Sequence, residues 1–485
     1  MAEINTSEIT RKATSSVIFL SLRNFGLQAV SLVGFFILTL LLGTGEVGLF
    51  AIVAESVAIF AYFSDVGLAS ALIQQKKPIS QIQLRTTFFI QQSLVIIALL
   101  IVLYSYPKLA VAKNYGLPET LILTALCFSF LTASLKTIPS VLLERHLNFK
   151  TISLVDIVEN VSFYLVAVIF ALLGFGVYSY AIATVVRSAL GLFLIYHYQP
   201  WPIGISFSLH TAKKLFRYGI PFQFNSLIAM AKDRLSTIVV AGILGRVEFG
   251  FLSWSQKGPR IPLSFMDAVM RVTFPAFSRL RQQPELLKRS LEKSVFFIAY
   301  FVFPLMSLLV LVAPHFIDLI PKYNKWQPAL LPMYLFCLNY SIAAITTPIT
   351  NAFNATGKIF LTSKFMIMWT VLTWIFYPLL TAKFGFVGTA IAALIVSSSS
   401  FIVWYFADKI YSVNLYLVVG HPFIASVLAL SIGLYILDTY PQNPLMSIIT
   451  GSLIFTAFYL SYSYLFLKSH LLWFINQLKK SFNVT

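Results

Sequence analysis

The sequence predicts an all-α integral membrane protein with about 14 transmembrane helices. Two parallel six-helix lobes are expected around a central cleft, followed by two C-terminal helices. Hydrophobic residues make up 58% of the 485-residue chain and charged residues only 11%, and the mean hydropathy is +0.83. Because soluble domains carry about 25% charged residues, long apolar segments must set the architecture here.

Fourteen apolar segments are long enough to span a bilayer, since a hydrocarbon core of roughly 30 Å requires about 20 helical residues. They begin near residues 15, 48, 86, 119, 152, 176, 217, 249, 294, 328, 361, 386, 421 and 445. No connection is much longer than about fifteen residues, which leaves no room for an extramembrane catalytic domain. We therefore expect no enzyme, no catalytic residue, no cofactor and no metal site. Cys127 and Cys337 lie inside apolar segments and are interpreted as packed thiols.

The distribution of basic residues predicts the orientation. An even number of spans places both termini on one side, and Lys and Arg concentrate in one alternate set of connections, beginning with Arg11 and Lys12. The positive-inside rule then predicts a multi-pass protein of the cell membrane (inner or plasma membrane) with both termini in the cytoplasm. The net charge of +18 reflects this topology, so no nucleic-acid partner is expected. The other set of connections contains only Lys108, Lys113, Arg246, Lys322, Lys325 and Lys383.

A weak internal repeat predicts the domain organisation. LLGTGEVGLF at 41–50 resembles ILGRVEFGFL at 243–252, and FGVYSYAIA at 175–183 matches FGFVGTAIA at 384–392. The shifts of 202 and 209 residues correspond to six helices, so the two copies have the same orientation and their symmetry axis follows the membrane normal. The predicted organisation is an N-lobe with helices 1–6 (1–200), a C-lobe with helices 7–12 (201–412), helices 13 and 14 (413–470) and a basic cytoplasmic tail (471–485) that anchors at the interface.

The segment Ser253–Arg271, SWSQKGPRIPLSFMDAVMR, concentrates charge inside an apolar span. On one helix, Lys257, Arg260, Asp267 and Arg271 would fall with Ser253, Gln256 and Ser264 inside an arc of about 100°. Each cation near mid-depth costs about 2.5 to 3.5 kcal/mol unless water, a counter-charge or a ligand receives it. Since Asp267 cannot neutralise three cations, Lys257, Arg260 and Arg271 are candidate substrate-binding residues. Pro259 and Pro262 predict a kink between them.

The remaining intramembrane charges fall into three groups. Each charge also has an alternative interpretation, as an internal salt bridge that fixes helix registry. Further candidate substrate-binding residues near mid-depth are Arg187, Lys232 and Arg234; candidate ion-coupling carboxylates are Asp233, Asp267 and Glu55; candidate residues of a cytoplasmic gate are Arg23, Asp65, Lys136, Asp156 and Glu159.

Several segments resemble a known family, the polysaccharide-transport family of the multidrug, oligosaccharidyl-lipid and polysaccharide exporter superfamily. They are similar to exporters of colanic acid and teichuronic acid type. The similarity covers nearly the whole chain and is carried by SDVGLASALIQ (64–74), LLERHLNFK (142–150), VDIVENVSFYLVAVIFALLGFGVYSYA (155–181), FRYGIPFQFNS (216–226) and VTFPAFSRLRQQPELLKRS (272–290).

The resemblance implies a flippase for polysaccharide biosynthesis (O-antigen or lipopolysaccharide, exopolysaccharide, capsule). It would carry an undecaprenyl-diphosphate-linked oligosaccharide from the inner to the outer leaflet by alternating access. A glycan polymerase and a chain-length regulator are the implied protein partners.

Two other functions are alternatives to the flippase. The first is a cation-coupled multidrug antiporter, which an excess of cations in the cleft disfavours because the substrates would be cationic. The second is an integral-membrane glycan polymerase or acyltransferase, which the short connections and the absence of a catalytic motif disfavour.

Overall fold

The computed structural model describes residues 26–65, 67–75, 79–146, 148–217 and 230–467, and every regular element in these ranges is helical. In chain order they are α1 (Gly26–Leu41), α2 (Thr44–Asp65), α3 (Leu68–Gln74), α4 (Gln81–Lys113), α5 (Leu117–Arg145), α6 (Phe149–Leu172), α7 (Tyr178–Tyr198), α8 (209–217), a π-helical turn (Ala231–Leu235), α9 (Ser236–Lys257), α10 (Leu263–Arg279), α11 (Pro284–Leu319), a 3₁₀ segment (Pro321–Ala329), α12 (Leu330–Ala355), α13 (Ile359–Ser398), α14 (Phe401–Tyr411), α15 (Leu415–Thr439) and α16 (Pro444–Phe466).

Ten helical segments of the described residues are long and apolar enough to cross a membrane. This confirms the predicted class, a multi-pass membrane protein built from helices. The number of fourteen spans stays a prediction, because the first helix and the seventh begin in 1–25 and 218–229, outside the described residues. The tail, 471–485, also lies outside them.

Two helices contain a glycine break where the sequence predicts a turn between spans. Gly245 in α9 has φ 72° and Gly385 in α13 has φ 61°. This left-handed region is readily available only to a residue without a Cβ. Gly176, the repeat partner of Gly385, also has a positive φ, 53°. α9 and α13 therefore each consist of two apolar segments joined at glycine.

The segment with the predicted polar stripe is not one kinked helix, and that prediction is wrong. α9 ends at Lys257 and α10 begins at Leu263, with a turn at 258–262 between them. Pro259 and Pro262 have no amide hydrogen, so two donors are lost within one helical turn. The turn is closed instead by short-range bonds, such as Ile261 N–H to the Gly258 carbonyl at 3.1 Å.

The chain divides into two compact units, Met1–Gly250 and Phe251–Thr485. In the second unit α11 is the central helix and packs against α12, α15 and α16. Its fully buried positions follow the helical period, which places one apolar stripe against these neighbours. They are Leu291, Val295, Ile298, Ala299 and Val302, each 0% exposed. In the first unit, α7 packs against both α5 and α6.

Candidate functional site

Three charged side chains from α5, α6 and α7 meet around one carboxylate in the first unit. Glu159 on α6 is only 6% exposed. Its Oε1 accepts a hydrogen bond from Nζ of Lys136 on α5, and its Oε2 lies 4.0 Å from Nε of Arg187 on α7. We call these three residues the Glu159 cluster. The sequence assigned Lys136 and Glu159 to a gate and Arg187 to substrate binding, whereas the structure joins all three.

Gly191 makes room for this cluster. It lies four residues after Arg187, on the same face of α7. A Cβ added at Gly191 would overlap Oε1 of Glu159, so a larger residue there would displace the carboxylate from its position beside Lys136. The close approach of α6 and α7 and the position of the acid therefore depend on the same glycine.

Arg187 is the most accessible member of the cluster. Its side chain is 44% exposed, against 19% for Lys136, and its guanidinium lies 5.8 Å from the centre of the Phe163 ring, within cation–π distance. A guanidinium on an apolar helix requires water, an anion or a ligand beside it, because hydrocarbon leaves its donors unsatisfied. The accessible guanidinium of Arg187 has five N–H donors, which suit an anion with several oxygens.

A second group of charges surrounds the π-helical turn that precedes α9. Arg234 donates to the carboxylate of Glu55 on α2, and Nζ of Lys232 lies 3.3 Å from Oδ1 of Asp233. π-helical turns often occur at functional sites because the extra residue shifts side chains around the helix. Two predicted substrate-binding cations thus contact two predicted coupling carboxylates.

The stripe residues lie on both sides of the turn at 258–262. Lys257 is the last residue of α9 and is half-buried, whereas Arg260 in the turn is exposed. Nε of Arg260 donates to the hydroxyl of Tyr340 at 3.3 Å. Asp267 is exposed on α10, which makes it accessible to solvent or to an ion.

Four other predicted site residues are only partly placed. Asp156 is half-buried on α6, one turn before Glu159, and therefore belongs to the surroundings of the Glu159 cluster. Arg23 lies outside the described residues, as do the side chains of Asp65 and Arg271, whose backbones end α2 and lie within α10.

An ion pair that was not among the sequence predictions joins two helix ends. Nη1 of Arg246, next to the break at Gly245, lies 3.2 Å from Oε1 of Glu119 in the first turn of α5. Oε2 of Glu119 accepts the amide hydrogen of Gly116 at 2.9 Å, so this acid both caps its own helix and holds Arg246. The sequence could have suggested this pair, because Arg246 and Glu119 have opposite charges and are predicted on the same side of the membrane.

The chain matches the family model described as "Polysaccharide biosynthesis protein" over residues 37–330. It is 24% identical over 387 residues to the lipopolysaccharide biosynthesis protein WzxC of Escherichia coli (strain K12), covering 78% of this chain and 77% of the relative. It is 25% identical over 301 residues to the teichuronic acid biosynthesis protein TuaB of Bacillus subtilis (strain 168), covering 61% of each.

Solved structures match the fold over most of the chain. The lipid II flippase MurJ, in an inward closed conformation, has a TM-score of 0.74 at 17% identity, covering 94% of this chain and 100% of that one. An inward-facing multidrug resistance transporter of the MATE family has a TM-score of 0.60 at 14% identity, covering 80% of this chain and 96% of that one.

Proposed function

We propose that this chain, which belongs to the polysaccharide biosynthesis protein family in the polysaccharide-transport branch of the exporter superfamily, is a flippase for a lipid-linked glycan. Its substrate is an undecaprenyl-diphosphate-linked oligosaccharide that moves from the inner to the outer leaflet. The product serves the biosynthesis of a surface polysaccharide, in which a glycan polymerase and a chain-length regulator are its partners. The relatives are named for lipopolysaccharide and teichuronic acid biosynthesis, which supports this class of substrate.

The observation that carries the proposal is the Glu159 cluster. Two cations share one carboxylate between three apolar helices, and the side chain of Arg187 is 44% exposed. A diphosphate is the part of such a lipid that needs cations inside the membrane, and Arg binds phosphate through paired N–H donors. A cationic drug would be repelled at the same place, so the cluster favours the flippase over a multidrug antiporter.

The other basic residues extend the proposed headgroup path. Lys257, Arg260 and Arg271 contact the diphosphate in succession, with Arg271 nearer cytoplasmic loading and Lys257 and Arg260 nearer release. The turn at 258–262 supports this sequence of contacts, since it lets α9 and α10 reorient separately. Lys232 and Arg234 bind the diphosphate after they release their carboxylate partners, Asp233 and Glu55.

Coupling to an ion gradient fits the paired carboxylates. Protonation of Glu55 would remove the counter-charge of Arg234 and make that guanidinium available to substrate. Asp233, which is 65% exposed in its side chain, and Asp267 are the other coupling candidates. The contact of Glu55 with Arg234 supports Glu55 as the acid whose charge is linked most directly to a binding residue.

Alternating access also depends on the number of spans, their topology and the arrangement of the two lobes. We propose fourteen spans in an inner or plasma membrane with both termini in the cytoplasm, and two six-helix lobes (1–200 and 201–412) on either side of a central cleft. Helices 13 and 14 and the basic tail complete the chain. In this arrangement Arg23, Asp65, Lys136, Asp156 and Glu159 belong to the cytoplasmic gate.

A leaflet assay on the purified chain tests the function. Vesicles containing the protein and nitrobenzoxadiazole-labelled undecaprenyl-diphosphate-N-acetylglucosamine are treated with dithionite, which bleaches only the outer leaflet. Active protein should make nearly all of the label bleachable, whereas protein-free vesicles should retain the inner-leaflet fraction. Labelled phosphatidylethanolamine is the control lipid and should not move. Identical bleaching with and without protein would contradict the proposal.

Arg187 gives the matched test of the site. Arg187→Ala should slow the flipping of the labelled lipid, and Arg187→Lys should recover part of the rate because a point charge replaces the bidentate donor. Lys358→Ala, in the connection before α13, is the control for loss of one positive charge. If Arg187→Ala and Lys358→Ala behave alike, the headgroup does not meet Arg187.

A further inference from the structure

The backbones of α2 and α9 touch at two glycines. A Cβ added at Gly48 would lie 2.7 Å from the amide nitrogen of Gly250 and would overlap the carbonyl oxygen of Arg246. A Cβ added at Gly250 would lie 3.3 Å from the amide nitrogen of Gly48 and would overlap the carbonyl oxygen of Thr44. No residue larger than glycine fits either position while the helices cross this closely. Glycine permits such close contacts between membrane helices because it has no side chain to hold the backbones apart.

The contact is symmetric with respect to the internal repeat. The shift of 202 residues relates Thr44 to Arg246 and Gly48 to Gly250. Gly48 contacts Arg246, and Gly250 contacts Thr44. Exchanging the two copies of the repeat therefore leaves this pattern of contacts unchanged. Gly45 also meets its own repeat partner, since a Cβ there would lie 3.3 Å from Cγ2 of Val247. Reciprocal contacts of this kind define a local two-fold axis, which passes through the crossing.

An ion pair accompanies the crossing. Arg246, whose carbonyl contacts Gly48, also reaches Glu119 at the start of α5. The side chain of Arg246 is 63% exposed and that of Glu119 is 8% exposed, so solvent screens one partner of the pair while the other is buried. The crossing thus combines a tight backbone contact between α2 and α9 with one ion pair between α9 and α5.

We propose that the Gly48–Gly250 crossing, tied by Arg246 and Glu119, is a gate that closes the outer end of the transport path and must part for the glycan to leave. The inference rests on the proposed function. The positions belong to the predicted turns and helix ends with few basic residues, which the orientation places outside. A polar glycan cannot pass where two backbones touch. The contact between Gly48 and Gly250 involves backbone atoms rather than interlocked side chains, so the two helices can separate there and meet again.

A reversible lock tests the gate. Gly45→Cys and Val247→Cys are combined in a chain that also carries Cys127→Ala and Cys337→Ala, and the new thiols are within reach of a disulfide. Oxidation should reduce flipping of the labelled undecaprenyl-diphosphate-N-acetylglucosamine to the rate of protein-free vesicles, and reduction should restore it. Each single cysteine variant, treated alike, should be insensitive to oxidant. Disulfide formation is followed by the loss of two alkylatable thiols.

The outcomes separate the gate from the proposed function. Reduced protein that flips no labelled lipid would overturn both the function and the gate. Oxidised protein that flips as fast as reduced protein, with the thiols consumed, would overturn the gate alone. Export that stops on oxidation and returns on reduction supports the gate.

A second pair of variants tests the glycine contact itself. Gly48→Ala added to the cysteine pair should slow disulfide formation, because its Cβ overlaps the Arg246 carbonyl in the closed crossing. Gly242→Ala in α9, where a Cβ would have nothing within 4 Å, should leave the rate unchanged. Equal rates for the two alanine variants would overturn the crossing as a closed gate.

Discussion

Gly191→Ala should separate the geometry of the Glu159 cluster from simple loss of charge. The added Cβ overlaps Oε1 of Glu159, so the carboxylate must withdraw by about 2 Å to reach van der Waals distance. No charge is removed, and alanine improves the intrinsic helix propensity of the position by about 0.5 to 1 kcal/mol. A measured loss of stability would therefore come from displacement of the Glu159 carboxylate, because the alanine alone would stabilise the helix.

The magnitude follows from the pair of Glu159 with Lys136. A charge-assisted contact of about 2.8 Å that lengthens to about 4.8 Å loses about 2.5 kcal/mol at an effective dielectric constant of about 20. This is the value for withdrawal directly away from Lys136. The contact of Glu159 with Arg187 adds less, because the Arg187 side chain is 44% exposed and is screened. Once the gain in helix propensity is subtracted, the variant should be destabilised by about 1.5 to 2 kcal/mol.

Two measurements check this expectation. Thermal unfolding of the purified protein should shift to a lower temperature, and the bleaching assay should show slower flipping, because the displaced carboxylate no longer holds Lys136 and Arg187 in place. Gly242→Ala makes the same chemical change where a Cβ meets nothing within 4 Å and should be neutral or slightly stabilising. If both alanine variants unfold and flip alike, the Glu159 cluster does not control transport.

Three further predictions concern the other charges and the topology. The double variant Arg260→Ala, Arg271→Ala should lose export at normal membrane abundance, and Arg260→Lys should keep part of it because Lys lacks paired donors; full export from a well-expressed double variant would contradict the headgroup path. Glu55→Gln should abolish the response of flipping to an imposed ion gradient, since the charge opposite Arg234 no longer titrates; an unchanged response would exclude Glu55 as the coupling acid. Reporter fusions after Asp438 and after Thr485 should lie on opposite sides of the membrane, because α16 separates them; reporters on one side would show that the spans after helix 12 were miscounted.

The membrane class and the main breaks could be predicted from the sequence. Apolar length is a local property that survives any packing, because a bilayer requires it of each helix separately. The turns expected at 243–252 and 384–392 contain the breaks at Gly245 and Gly385, since only glycine adopts their backbone conformation easily. The segment with two prolines was recognised as irregular, but its separation into α9 and α10 was not, because a proline can either kink or end a helix.

The pairing of charges and the contact between the repeats were decided only by tertiary structure. Glu159 meets Lys136 and Arg187, and Arg234 meets Glu55 across 179 residues, because helices that are distant in sequence become neighbours. Helical periodicity gives the face of each residue but not the helix that covers it. The repeat was visible as identities such as Gly48 and Gly250, yet nothing in one dimension shows that these two glycines touch each other. Whether an intramembrane charge is bound by a partner or offered to a ligand depends on those neighbours, which only the folded chain supplies.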